Sequence, residues 1–272
     1  MKLKKINWKK VLVFSLWSLT GVGLIIALGF VNHVQQDMKC KDVRITFNDN
    51  AQQDFVDEQE LFSLIKGKEK LIGKPLGTIN TTLLEKIIMS NPFVQTAEVY
   101  SSVDGHLNVS VTQRNPLMRI ITMQGEQFYI DDRGSFMPVS DKYTPPVLVA
   151  NGYIFDRYTE RKINFIAPVL ADTNEQAKPM IQQVYELAQF IGADTFWNAQ
   201  SEQIYVNENQ ELELIPRIGN HRIIVGDAEN LKEKFEKLMI FYKQGLNKTG
   251  WNNYSVINLK YRNQVVCTKI NS

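Results

Sequence analysis

The residues with the greatest chemical reach in this sequence are few and far apart. Ile223-Ile224-Val225-Gly226-Asp227 is a β-branched run closing on a glycine just ahead of a charged amphipathic segment, the outline of a phosphate-binding turn. A phosphate cradle needs several backbone N–H groups in a row, supplied by G-x-G-x-x-G or G-x-x-x-x-G-K-[ST]. Gly226 stands alone, and Asp227 sets a carboxylate where the anion has to sit. Asp227 reads instead as the N-cap of a helix whose Leu231, Phe235, Leu238 and Tyr242 share one face, with Lys232, Glu233, Lys234, Glu236 and Lys237 largely in water. His33, His106 and His221 lie outside any metal-ligand spacing, and Cys40 and Cys267 have no neighbouring ligands. Asp131 and Asp132 have the chemistry of a general acid–base pair, but just ahead of Gly134 they read as turn residues. Ser135 is in no nucleophile elbow. The residues point away from catalysis, metal and cofactor, and towards binding.

The elements around these residues fall into two groups. In the first, Val43, Ile45 and Phe47 alternate as one face of a strand, and Asp57 with Glu60 forms a capping box for a helix. Asn80 caps a second helix over 81–89, with Leu83, Leu84, Ile87 and Ile88 on its expected buried side. Two strands then meet across Asp104-Gly105, a hairpin signal. The order is β-α-α-β-β over 42–115. The second group, 116–272, reads as mostly antiparallel strands with flanking helices, one of them over 179–191 with Ile181, Val184, Tyr185, Ala188 and Ile191 inward. The prolines of Tyr143-Thr144-Pro145-Pro146 mark an edge strand or a strand entry. A terminal strand lies readily at a sheet edge, where free N–H and C=O groups can pair with a partner.

Ahead of both groups, Val11 to Val31 runs 21 residues without a charge, behind a tail (1–10) containing Lys2, Lys4, Lys5, Lys9 and Lys10. A helix of that length spans about 30 Å, the thickness of a bilayer core. The expectation is therefore a single-pass anchor over 11–31, a linker over 32–41, a cytoplasmic N-terminus, and a remainder beyond the membrane. The chain has 31 Lys and Arg against 29 Asp and Glu; the five leading lysines leave 26 cations against 29 acids, a net charge of −3 that argues against nucleic acid. The two cysteines are expected as separate thiols, since a bridge would tie the start of the first group to the end of the chain.

Taken together, Asn91-Pro92-Phe93-Val94, the Asp104-Gly105 turn, the tract from Val109 to Pro116, the pair around Tyr129-Ile130-Asp131 with Gly134, and the close from Tyr254 to Lys269 resemble the FtsQ/DivIB family of bacterial division proteins, most nearly its Bacteroidota branch. The resemblance covers nearly the whole chain. It implies a non-enzymatic, bitopic protein of the inner membrane, periplasmic beyond its anchor and enriched at the division site. It further implies a POTRA-like domain that helps recruitment, and a second domain that binds small coiled-coil membrane proteins, FtsB-like and FtsL-like, by strand addition, so helping to control septal peptidoglycan synthesis. Other division proteins are expected at the POTRA-like domain and anchor, and the lipid bilayer at 11–31. The partner-binding residues carried over are Lys260, Tyr261, Asn263, Val265, Val266, Cys267 and Thr268. The chain departs from the family pattern at Gln264, in place of the turn glycine, and at Lys269, where well-known members carry tryptophan. A POTRA-type chaperone or translocation component is the alternative reading, and an anchored envelope enzyme a further one.

Overall fold

The computed structural model describes residues 14–26, 38–48, 54–67, 70–158 and 178–270. The chain divides into an N-terminal unit, Met1–Gln52 with Val56–Gln113, and a C-terminal unit, Gln53–Phe55 with Arg114–Ser272.

The expected membrane anchor is corrected by the structure. Among the described residues no helix is long and apolar enough to cross a membrane. Among the described residues helix α1 covers 14–26, 13 residues that rise about 20 Å against the roughly 30 Å of a hydrocarbon core. A charge-free run establishes that a segment is apolar, which by itself does not make a spanning helix. The bitopic single-pass topology, its cytoplasmic and periplasmic sides, the inner-membrane location and the bilayer as a partner rested on that anchor and are withdrawn with it. Residues 1–13 and 27–37, which hold the basic tail, both ends of the run and most of the linker, lie outside the described residues.

In the N-terminal unit, β1 (Asp42–Phe47), α2 (Glu58–Lys66), α3 (Thr81–Met89), β2 (Val94–Ser101) and β3 (His106–Gln113) follow in order. The sheet order is β1-β3-β2, with β3 parallel to β1 and antiparallel to β2. Both helices start where short polar side chains cover free N–H groups. Asp57 Oδ1 accepts from Glu60 N–H at 2.7 Å, and Asn80 Oδ1 from Leu83 N–H at 2.9 Å. Leu61 and Ile65 of α2, and Leu84 and Ile88 of α3, are buried at i, i+4 spacing, and so are the alternating Leu107, Val109 and Val111 of β3. The buried stripe of α3 is narrower than expected: Leu83 is exposed and Ile87 half-buried. Gly105 holds the hairpin turn at φ +93°, a conformation that costs glycine nothing.

The C-terminal unit is built on a nine-stranded mixed sheet. Its strands are β4 (Pro116–Ile121), β5 (Gln127–Asp131), β6 (Phe136–Pro138), β7 (Leu148–Gly152), β8 (Ser201–Val206), β9 (Leu212–Pro216), β10 (Arg222–Gly226), β11 (Tyr254–Asn258) and β12 (Val266–Lys269). The order is β12-β11-β10-β9-β8-β7-β4-β5-β6. Five neighbouring pairs are antiparallel, and three are parallel: β4–β7, β7–β8 and β10–β11. β7 is central, so the prolines before it mark a strand entry and not an edge. Helices α4 (Met180–Gly192), α5 (Thr195–Gln200) and α6 (Leu231–Phe241) bury Ile181, Val184, Leu187, Ile191, Trp197, Phe235 and Leu238 against strand residues such as Ile120, Ile204, Leu214 and Ile223.

The acidic turn between β5 and β6 is a structural lock. Asp131 is fully buried; its Oδ1 accepts from the N–H groups of Arg133 (3.0 Å) and Ser135 (2.6 Å), and its Oδ2 pairs with Arg114 at 2.8 Å. Removing one partner of such a pair strands the other charge and two donors. Asp131→Ala is expected to destabilise the C-terminal unit by about 3 kcal/mol in urea unfolding, whereas an equal loss from Asp132→Ala, a neighbour exposed to water, would show that the lock is misassigned.

Candidate functional site

β12 forms one margin of the nine-stranded sheet, and its open side has no neighbouring strand among the described residues. Leu259 N–H donates to the Ile224 carbonyl of β10, and strand groups alternate in direction, so Val256 and Asn258 turn theirs towards β12. Their partners are Thr268 and Val266. The main-chain groups of Cys267 and Lys269 therefore point outward, where no strand lies among the described residues. Side chains alternate too. Val265 and Cys267 are half-buried against the core, while Val266 and Thr268 stand exposed beside Ile270.

The turn that feeds this strand is fixed from behind. Gly226 has φ +84°, and a Cβ there would come within 2.8 Å of Lys260 Cγ, so the glycine lets the Lys260 stem cross the end of β10. The ammonium then reaches Glu211 at 2.6 Å, an attachment that raises the lysine pKa and lowers that of the carboxylate. Lys237 of α6 donates to the Tyr261 carbonyl at 2.8 Å, leaving the Tyr261 ring about half exposed. A polar groove of about 330 Å³ flanks the turn, lined by Lys234, Lys237, Lys260 and Arg262 with the single acid Glu233.

Of the residues carried over, Tyr261, Val266 and Thr268 offer side chains to solvent, Val265 and Cys267 pack inward, and Lys260 is held by Glu211. Asn263 has a conformational role in the turn. At φ +62° it supplies the left-handed residue of the turn, so Gln264 does not have to stand in for a glycine. Asp227, expected as the helix cap, is not at the cap position. Asn230, at φ +50°, precedes α6, and Asp227 instead accepts from Lys234 Nζ at 2.6 Å. That pairing takes Lys234 out of the solvent-facing set and buries it. Sequence reading missed Lys237 and Glu211, whose partners lie 24 and 49 residues away. Ile270 was missed as well, although its spacing of four from Val266 was a usable signal.

Behind the hairpin, Trp197, Phe235, Tyr242, Trp251 and His221 form a chain of ring contacts with centroids 4.9 to 6.4 Å apart. His221 is buried, with Nε2 3.3 Å from Tyr242 Oη. Burial pushes its imidazole pKa down, partly offset by the Trp251 carbonyl, and burial pushes the Tyr242 hydroxyl up. Among the described residues no three His, Cys, Asp or Glu side chains are grouped to hold a metal ion, and His33 lies outside the described residues. Cys40 and Cys267 are free thiols.

The N-terminal β-α-α-β-β unit is the architecture of a POTRA-like domain, and a profile of that description matches residues 38–112. A second profile, described as FtsQ/DivIB, C-terminal related, matches residues 115–268. That match spans more than half of the sequence, and the chain belongs to the FtsQ/DivIB family. The family is a non-catalytic scaffold, and this chain is not an enzyme. No individual curated protein matches it.

Two tests follow from the geometry. Asn263→Gly is expected to leave the unit's stability within about 0.5 kcal/mol, while Asn263→Val, forced to positive φ, costs about 1 to 2 kcal/mol; equal effects would reject the left-handed role. Because the folded pKa of His221 lies below the ordinary 6.5, the unfolded chain takes up the proton first. Its contribution is complete above that value and is lost as pH falls towards the folded pKa. Urea unfolding between about pH 7.5 and about pH 5.5 should show a fall in stability that is reduced in His221→Gln, and parallel profiles for the two proteins would overturn the assignment.

Proposed function

We propose that this chain is a non-enzymatic scaffold of the bacterial division machinery, and that it holds a partner protein by accepting one of the partner's strands at β12. Family membership supports the class of function. The observation that carries the binding mode is the open edge itself, whose outward groups at Cys267 and Lys269 belong to a strand already fixed on its other side. Added main-chain hydrogen bonds give such a contact its affinity, and alternate side chains give it selectivity. Here Val266, Thr268 and Ile270 offer a small, partly apolar surface, and Tyr261 adds an aromatic group at the turn. In the groove beside the turn Lys234 and Lys260 are already paired with Asp227 and Glu211, and Lys237 and Arg262 are the cations that favour acidic residues on the partner.

The edge can be disabled without touching its inner pairing. Cys267→Pro removes an outward N–H and places a ring in the partner's path, whereas the pairs of Val266 and Thr268 with β11 remain. A photo-crosslinking residue at Val266 in the full chain should capture one protein in dividing cells, and the same residue at the exposed Met123 should not. Cys267→Pro is expected to abolish that product, Tyr261→Ala to weaken it severalfold, and Cys267→Ser to leave it, with the thermal unfolding of all three close to wild type. A product that survives Cys267→Pro would reject strand addition.

A further inference from the structure

The N-terminal unit has two sheet edges, and they differ. On β2 the outward N–H of Val99 donates to Glu85 Oε1 of α3 at 3.0 Å, so a helix side chain occupies that edge. On β1 the Asn48 N–H bonds the Val111 carbonyl of β3, and alternation turns the N–H groups of Val43, Ile45 and Phe47 outward. The first of these is covered by Asp42 Oδ1 at 2.9 Å; the next two face an edge with no strand beside it among the described residues.

Between β1 and the end of α2 lies a slot of about 150 Å³. Its walls are Val43, Phe62, Ile65, Leu71 and the half-exposed Ile72, and a cavity of this size holds a group as large as benzene. Among the described residues the charged groups that line it are two ammonium side chains, Lys66 and Lys70; residues 68 and 69 between them lie outside the described residues. Neither lysine has an ion-pair partner among the described residues. Apolar walls beside two free cations and an open strand edge describe a complementary segment: extended, with one large aliphatic side chain next to carboxylates.

We propose that the slot and the β1 edge form a second docking site, which takes an extended acidic segment of a partner protein. An aliphatic side chain of that segment sits among Val43, Ile65 and Ile72, its neighbouring carboxylates meet Lys66 and Lys70, and its main chain pairs with Ile45 and Phe47. This site is independent of β12, and each can fail without the other.

The test uses the full chain and a fluorescein-labelled, end-blocked octapeptide of Thr and Val with a central Leu flanked by two Glu, read by fluorescence anisotropy in low salt. Saturable binding is expected. It should weaken about tenfold or more when the central Leu becomes Ala, from the lost burial of one aliphatic side chain. It should weaken comparably when both Glu become Gln or when Lys66→Glu and Lys70→Glu are introduced together, and should fall with added salt. Both lysines are exposed, so that double variant keeps its fold, checked by circular dichroism. Cys267→Pro should leave binding unchanged. The proposal is overturned by no binding, by equal binding of the Leu and Ala peptides, by indifference to the lysine reversal, or by self-association of the chain that Ile72→Asp abolishes.

Discussion

The parallel pairing of β10 with β11 is the constraint on which the binding edge depends. It is short, with Arg222, Ile223 and Ile224 facing Val256, Ile257 and Asn258, yet everything beyond it hangs from this junction. Parallel neighbours cannot be joined by a tight turn, so the chain has to leave the sheet, cross its face and return. The crossover is α6, prolonged by a wider π-type turn over Tyr242–Leu246, where Gly245 lies so close to the Phe241 ring that a Cβ would come within 2.8 Å of it. The ring chain from Trp197 to Trp251 packs that return, and Phe241 meets Tyr254 where β11 begins. Hydrophobic contact therefore does for this hairpin what a longer hydrogen-bond ladder does in larger sheets.

Against that background, the charged residues near the hairpin are fasteners as much as recognition groups. Lys260 is drawn across Gly226 to Glu211, Lys237 holds the Tyr261 carbonyl, and Lys234 is tied to Asp227. Each spans elements that the crossover brings together. Exposed ion pairs contribute little individually, but a contact to a main-chain carbonyl fixes direction as well as position. The turn accordingly presents Tyr261 outward while its own backbone is engaged.

The legible parts of the sequence were the local ones. Asp57 and Asn80 announced their helices because a cap and its N–H lie three residues apart, and the Asp104-Gly105 turn announced its hairpin for a similar reason. Tyr185, Ala188 and Ile191 revealed the face of α4 through period alone. The start of α6 was misplaced because Asp227 is the residue type that caps helices, while Asn230 stands at the cap position with no side-chain cap bond, in a left-handed conformation that composition does not display. The same conformation at Asn263 hid why Gln264 is tolerated. Parallel pairings, and partners such as Lys260 with Glu211, depend on contacts between distant segments and leave no local pattern. The charge-free run near the N-terminus misled in the opposite direction, since hydropathy is read residue by residue and helix length is not.

The far end of the nine-stranded sheet gives the binding edge its meaning. β6 has three residues and ends at Pro138, a residue that cannot donate to a further strand. One margin of this sheet is receptive and the other ends on a residue that cannot donate, so copies of this sheet are not matched for head-to-tail stacking through their two margins. Within this sheet the receptive margins can meet each other, which closes a pair. The adhesive strand is thereby confined to one margin of this sheet, because the sheet has polarity: it is extended from one side.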